Sequence, residues 1–111
     1  MNQDLEREVN QLHAEFCAGL ADPKRILILY SLAEEPRTVT DLAATLRMNQ
    51  PAVSRHLKML RERGMVIAQR LGPAVQYRLA DERIIAALDL LRAALRDHLA
   101  RRAELAEVLP E

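Results

Sequence analysis

At 111 residues the chain is one domain with room for a modest core; half its residues are apolar, only three are aromatic, and Ala and Leu dominate, the profile of a mostly helical protein. No apolar run reaches the roughly eighteen residues of a membrane span. The start, MNQDLEREVNQ, is too acidic and polar for a signal peptide, so a cytosolic protein is expected. The single cysteine, Cys17, excludes an internal disulfide and any metal site built from several thiolates of one chain.

Leu5, Val9, Leu12, Phe16 and Leu20 recur every three to four residues and mark an amphipathic first helix. Asp22 is a good N-cap and Pro23 suits a first helical position, so a second helix is expected from Pro23 to about Ala33, its run Ile26 to Tyr30 and Leu32 centrally buried. Pro36 disfavours helix in the residue before it and closes that segment. Thr38, followed three residues later by Asp41, resembles a capping box opening a short helix through about Leu46. After the connection RMN, Asn49 can cap a further helix, Pro51 fits its first turn, and Gly64 ends it where a left-handed residue is wanted. Two helices joined by so short a turn form a helix-turn-helix, spanning 38–64.

At about 100° per residue, Val53, Leu57 and Leu60 fall on one narrow arc and face the core. Pro51, Ser54, Arg55, Lys58 and Glu62 point the other way, with Gln50 and Arg61 at one edge. Such a helix fits a DNA major groove, where Arg can pair with guanine and Gln with adenine while Ser and Lys more often hold phosphates; the sequence leaves open which side chain does which. His56 lies between the faces, in the place of a packing residue or a backbone hydrogen-bond partner. Charge supports this reading. The overall balance is zero, yet Arg47, Arg55, Lys58, Arg61, Arg63, Arg70 and Arg78 stand against Glu62 alone between 47 and 78, a net of +6 offset by −6 in the flanks. The plainer alternative is a solvated Arg-rich face, but concentration in one stretch favours a polyanion partner.

After Gly64 the period changes from helical to alternating. MVIAQRL and VQYRLA are strand candidates around Gly72 and Pro73, a β-hairpin wing over 65–80. Arg70 and Arg78 are candidates for flanking phosphates or a minor groove; the uncharged tip of Pro73 and Ala74 weakens contact there, and Val66, Val75 and Tyr77 can equally finish the core. A last helix is expected from Glu82 to about Val108 with Asp81 as N-cap. Its seam is Ile84, Leu88, Leu91, Leu95, His98, Arg102, Leu105 and Leu109, widened by Ile85 and Leu99. One small domain cannot bury two long seams, so 1–20 and 81–109 are expected to pair with a second copy in a two-fold homodimer. The architecture expected is mainly α with a small hairpin, five or six helices, one winged helix-turn-helix domain over 1–111.

FCAGLADPKRILILYSL, TVTDLAATLRMNQPAVSRHLKMLRERGMV and VQYRL together resemble the ArsR/SmtB family of bacterial winged-helix repressors, over roughly residues 15–80. Gln50, Val53, Ser54, His56, Leu57 and Leu60 are the most specific part of the match. The resemblance implies a dimeric repressor that binds double-stranded DNA and leaves its operator when an effector binds, a palindromic operator suiting two recognition helices one turn apart. It also implies that Gln50, Ser54, Arg55 and Lys58 lie on the recognition surface; by charge and position Arg61, Arg47, Arg70 and Arg78 are further candidate contacts.

The family's sensing residues do not carry over. TVTDLAATL lacks the cysteine pair of arsenite and soft-metal sensors; Asp97 and His98 are adjacent, where zinc-binding members space Asp and His two apart; and Cys17 has no second cysteine for a redox pair. No metal or other cofactor is therefore expected. A lone cysteine beside an apolar stripe is commonly a small core residue, which is the expectation for Cys17. The alternative is a sensing site of Cys17, His13 and their dimer mates. A second class of function stays open, a protein-interaction module that has lost DNA binding. An enzyme is disfavoured by the lack of any glycine-rich phosphate loop or nucleophile, base and acid set.

Overall fold

Each helix begins where a side chain takes up otherwise free backbone N–H groups. Asn2 accepts from the Asp4 amide at 2.7 Å, Asp22 from Lys24 at 2.8 Å, Asn49 from Ala52 at 2.8 Å and Asp81 from Arg83 at 2.9 Å. Thr38 and Asp41 form the reciprocal capping box, at 3.1 and 3.4 Å. The Arg83 guanidinium, 2.7 Å from Asp81, holds that carboxyl at about 2.

The computed structural model describes residues 2–108. From these caps run α1 (Gln3–Leu12), a single π-helical turn (His13–Cys17), α2 (Pro23–Glu34), α3 (Val39–Leu46), α4 (Gln50–Glu62) and α5 (Arg83–Val108). Three strands, β1 (Arg37–Thr38), β2 (Val66–Leu71) and β3 (Ala74–Leu79), form an antiparallel sheet in the order β1-β3-β2. The expected hairpin is present, turning at Gly72 with φ +62°. The third strand was not foreseen: two residues paired as Arg37 with Tyr77 and Thr38 with Gln76 leave too short a pattern to distinguish from the lead into α3.

Ile28, Leu29 and Leu32 of α2, Leu42 and Ala43 of α3, and Val53, Leu57 and Leu60 of α4 make one cluster with Met65, Val66, Ile84 and Leu88. The expected run in α2 is buried only on one side: Leu27 is 53% exposed, because a helix surrounded on part of its circumference hides one stripe, not five consecutive residues. Gly19 is where the end of the first helix meets the loop after α4. A Cβ there would stand 2.6 Å from the Met65 sulfur, so a larger residue would force the buried Met65 side chain to move.

The radius of gyration is 17.6 Å and the extents 62 × 41 × 21 Å, against about 13 Å expected of a compact domain of this length. The excess comes from the two terminal helices. No residue of α1 is buried, and Leu5, Val9 and Leu12 are exposed. Of the seam along α5, Ile84 and Leu88 are buried in the core and Ile85 packs against it, whereas Leu91, Leu95, Leu99 and Leu105 are exposed; Leu109 lies outside the described residues. Both stripes are thus apolar and uncovered within one protomer. Among the described residues no helix is long and apolar enough to cross a membrane.

Candidate nucleic-acid interface

Helix α4 is amphipathic in the expected sense. Val53, Leu57 and Leu60 are wholly buried, while Gln50, Ser54, Arg55, Lys58 and Arg61 are exposed. Among the described residues none of Arg55, Lys58 and Arg61 has an ion-pair partner, so no internal bond need be broken for them to meet an anion. α3 holds α4 through a tight turn in which the Arg47 and Met48 amides both donate to the Ala43 carbonyl. Arg47 has φ 54°, the left-handed region, which costs a residue with a Cβ about 1 kcal/mol. Its side chain is exposed.

The remaining cations divide by geometry. In the hairpin Arg70 pairs with Val75 and Arg78 with Ile67. Alternation therefore sends Arg70 out on the side of Val66 and Tyr77, which packs on the helices, and Arg78 on the opposite side with Gln69 and Gln76. The two arginines cannot serve one phosphate. Arg63 is turned away altogether: half-buried, its Cδ lies 3.4 Å from where a Gly19 Cβ would stand, and it faces Glu8, Glu15 and Phe16 of the first helix. It contributes to the charge of the stretch without joining the α4 face.

A link that sequence reasoning missed runs through Arg25. Its Nε donates to the Gly19 carbonyl at 2.7 Å and Nη2 to that of Ala18 at 3.2 Å, so it closes the end of the first helix. Its Nη1 lies 3.5 Å from His56 Nδ1 on α4. His56 was expected to pack or to bond the backbone; it packs, half-buried, and its polar partner is this side chain. Arginine only donates, so the contact requires a lone pair on Nδ1 and hence a neutral ring. Burial, followed by Arg25, Lys24 and Arg55, holds the His56 pKa below its ordinary 6.5 against the opposing pull of Asp22. As pH falls through 6.5 the unfolded chain takes up the proton first, so the folded state loses stability there and stops losing it below the depressed native value. His56→Gln should flatten that part of a pH series of unfolding midpoints; an unchanged slope would assign the dependence to other groups.

Cys17 corrects an expectation. It is exposed, not a core residue, because the first helix projects from the body and its stripe meets little of the same protomer. His13 is also exposed, and the two bound the π-helical turn. Among the described residues no three His, Cys, Asp or Glu gather as ligands for a metal ion. Cys17→Ser is expected to change the unfolding free energy by less than about 0.5 kcal/mol, as for other exposed positions. A much larger loss in denaturant titration would show that the thiol is buried in the assembled protein.

A β-hairpin wing in a three-stranded sheet beside two helices joined by a tight turn, with terminal helices left open, defines a winged helix-turn-helix protein. The family model described as bacterial regulatory protein, arsR family, matches residues 22–68. The HTH-type transcriptional repressor SmtB of Mycobacterium tuberculosis (strain ATCC 25618 / H37Rv) is 42% identical over 78 residues, 70% of this chain and 58% of that protein, so the chain spans less than two thirds of that relative. Nodulation protein NolR of Rhizobium meliloti is 33% identical over 86 residues, 78% of this chain and 70% of that one. A homodimeric winged helix-turn-helix DNA-binding domain from Mycobacterium bovis superposes with TM-score 0.77 at 29% identity, covering 91% of this chain and 93% of that chain. The chain belongs to the ArsR family of bacterial regulatory proteins.

Proposed function

We propose that the protein is a homodimeric, sequence-specific transcriptional repressor that binds double-stranded DNA in the cytoplasm and is not an enzyme. The observation that carries this is the outer face of α4, where Gln50, Ser54, Arg55 and Lys58 stand exposed on a helix whose opposite face is wholly buried. A rigid helix with free cations and hydrogen-bonding side chains on one side fits the major groove. In this reading residues 38–64 are the reading unit and 65–80 the wing, whose Arg70 and Arg78 take separate phosphates. Residues 1–20 and 81–109 are the dimerisation segments: the exposed leucines of α1 and α5 find their cover in a second copy. The operator is then a palindrome with half-sites about one helical turn apart. An effector releases the repressor, and Cys17 with His13, repeated by symmetry, is the candidate place for it.

Selection of bound duplexes from a random pool, repeated over a salt series and with metal salts or sulfur oxidants added, tests these points together. A symmetric enriched sequence is expected, with log affinity falling against log salt by about 0.9 per phosphate neutralised. A protein that enriches no sequence and whose binding ignores salt is instead a protein-interaction module on the same scaffold.

A further inference from the structure

Between the first turn of α2, the turn after α3 and the first turn of α4 lies a hollow of about 290 Å³ whose walls include Lys24, Leu27, Arg47, Met48 and Asn49. Two cations and no acid line it, and among the described residues neither cation has an ion-pair partner. Like charges held together without a counter-ion repel one another and attract an anion. Lys24 lies outside the basic stretch that charge counting isolates, so only the fold brings it to Arg47.

The backbone of Arg47 supplies a second, independent sign. It is the only non-glycine with positive φ among the described residues. Glycine or asparagine there would make the same amide bonds to Ala43 with less strain, so closing α3 does not account for an arginine. A strained position held by a long cation points to work done by the side chain. Location says which anion. Asn49 and Ala52 form part of the hollow and also the first turn of α4, beside Gln50. Arg25, next to Lys24, lies 3.5 Å from His56 of α4, which sets the start of α2 alongside that helix.

We infer that this hollow seats one phosphate of the DNA backbone between Lys24 and Arg47, with the adjoining deoxyribose against Leu27 and Met48, and so fixes how deeply the first turn of α4 enters the groove. The inference rests on the DNA-binding reading and adds to it a site and a positioning role. Its test compares wild type, Arg47→Gly and Lys24→Gln on the selected operator and on a mixed-sequence duplex across a salt series, with thermal unfolding of each protein. Each variant should reduce the log-log salt slope by up to about 0.9, the whole contribution of one phosphate, and weaken both duplexes by the same factor. Arg47→Gly should melt at or above the wild-type temperature, because it relieves backbone strain. Slopes unchanged in both variants, on a wild type that binds, overturn the seat and leave the repressor reading intact. So does altered preference at a single base, which would make Arg47 a base reader, or weaker binding that accompanies a lower melting temperature in Arg47→Gly. A wild type with no salt-dependent duplex binding overturns the repressor reading, and the seat falls with it.

Discussion

Replacing Leu57 with alanine is expected to lower the unfolding free energy by about 3 kcal/mol, the middle of the range for a buried leucine. Leu57 has no exposed surface and belongs to the cluster that joins α4 to Ile28 and Leu29 of α2 and Leu42 of α3. Its loss leaves a cavity between three helices that α3 and the wing hold at fixed spacing, so little collapse can fill it. Three kcal/mol is a large share of the roughly 5–15 kcal/mol by which domains are stable. If α4 reads DNA as proposed, the variant should also bind duplex more weakly at elevated temperature, as that helix loses its backing. Urea titration at one fixed protein concentration checks the number, since a dimer's midpoint moves with concentration. A loss below about 1 kcal/mol would mean that Leu57 is not packed as found.

Where local rules and tertiary structure agree, the fold is legible in the chain itself. Asp22, Thr38, Asn49 and Asp81 announce four helix starts, and each caps the helix expected of it. The buried arc of α4 follows from periodicity alone, because Val53, Leu57 and Leu60 share a face under any helical geometry. What the sequence hides is contact across the chain. Arg25 and His56 are thirty-one positions apart, and nothing in either neighbourhood states that they meet. β1 is two residues long and exists only because β3 lies beside it. The π-helical turn at His13 interrupts a stripe whose spacing reads as ordinary helix, since one extra residue in a turn leaves three-to-four spacing nearly unchanged. The exposure of Cys17 was hidden for a related reason. A stripe predicts that something will be covered, and does not say whether the same chain or another copy covers it.

The same distinction governs the exposed face of α4. Pattern identifies Gln50, Ser54, Arg55 and Lys58 as outward, and the structure places them there. The cations are sorted by the fold and not by their number: Arg63 and Arg55 carry equal charge, yet one lies against the first helix and the other in solvent. Arg25 then gives the face a mechanical connection. By holding the Ala18 and Gly19 carbonyls while touching His56, it ties the end of the first helix to α4.

Arg55→Ala is expected to weaken operator binding by about 1–3 kcal/mol, or roughly five- to 150-fold, while leaving folding stability within about 0.5 kcal/mol. The two numbers separate because Arg55 is exposed and makes no ion pair among the described residues, so its removal disturbs nothing inside the protomer. A guanidinium on the second turn of a groove-bound helix can donate two bonds to guanine, and alanine leaves both acceptors unpaired. The loss should therefore fall on the cognate duplex, with relaxed preference at one base pair in each half-site and little change on mixed-sequence DNA. Lys58→Glu, one turn further along, provides the contrast: it should weaken every duplex alike and flatten the salt dependence, as expected of a phosphate contact. Equal weakening by Arg55→Ala on all sequences would move that arginine to the backbone. Full affinity in both variants would take DNA off this face of α4, because no arrangement of a duplex against the exposed side of the helix avoids both charges.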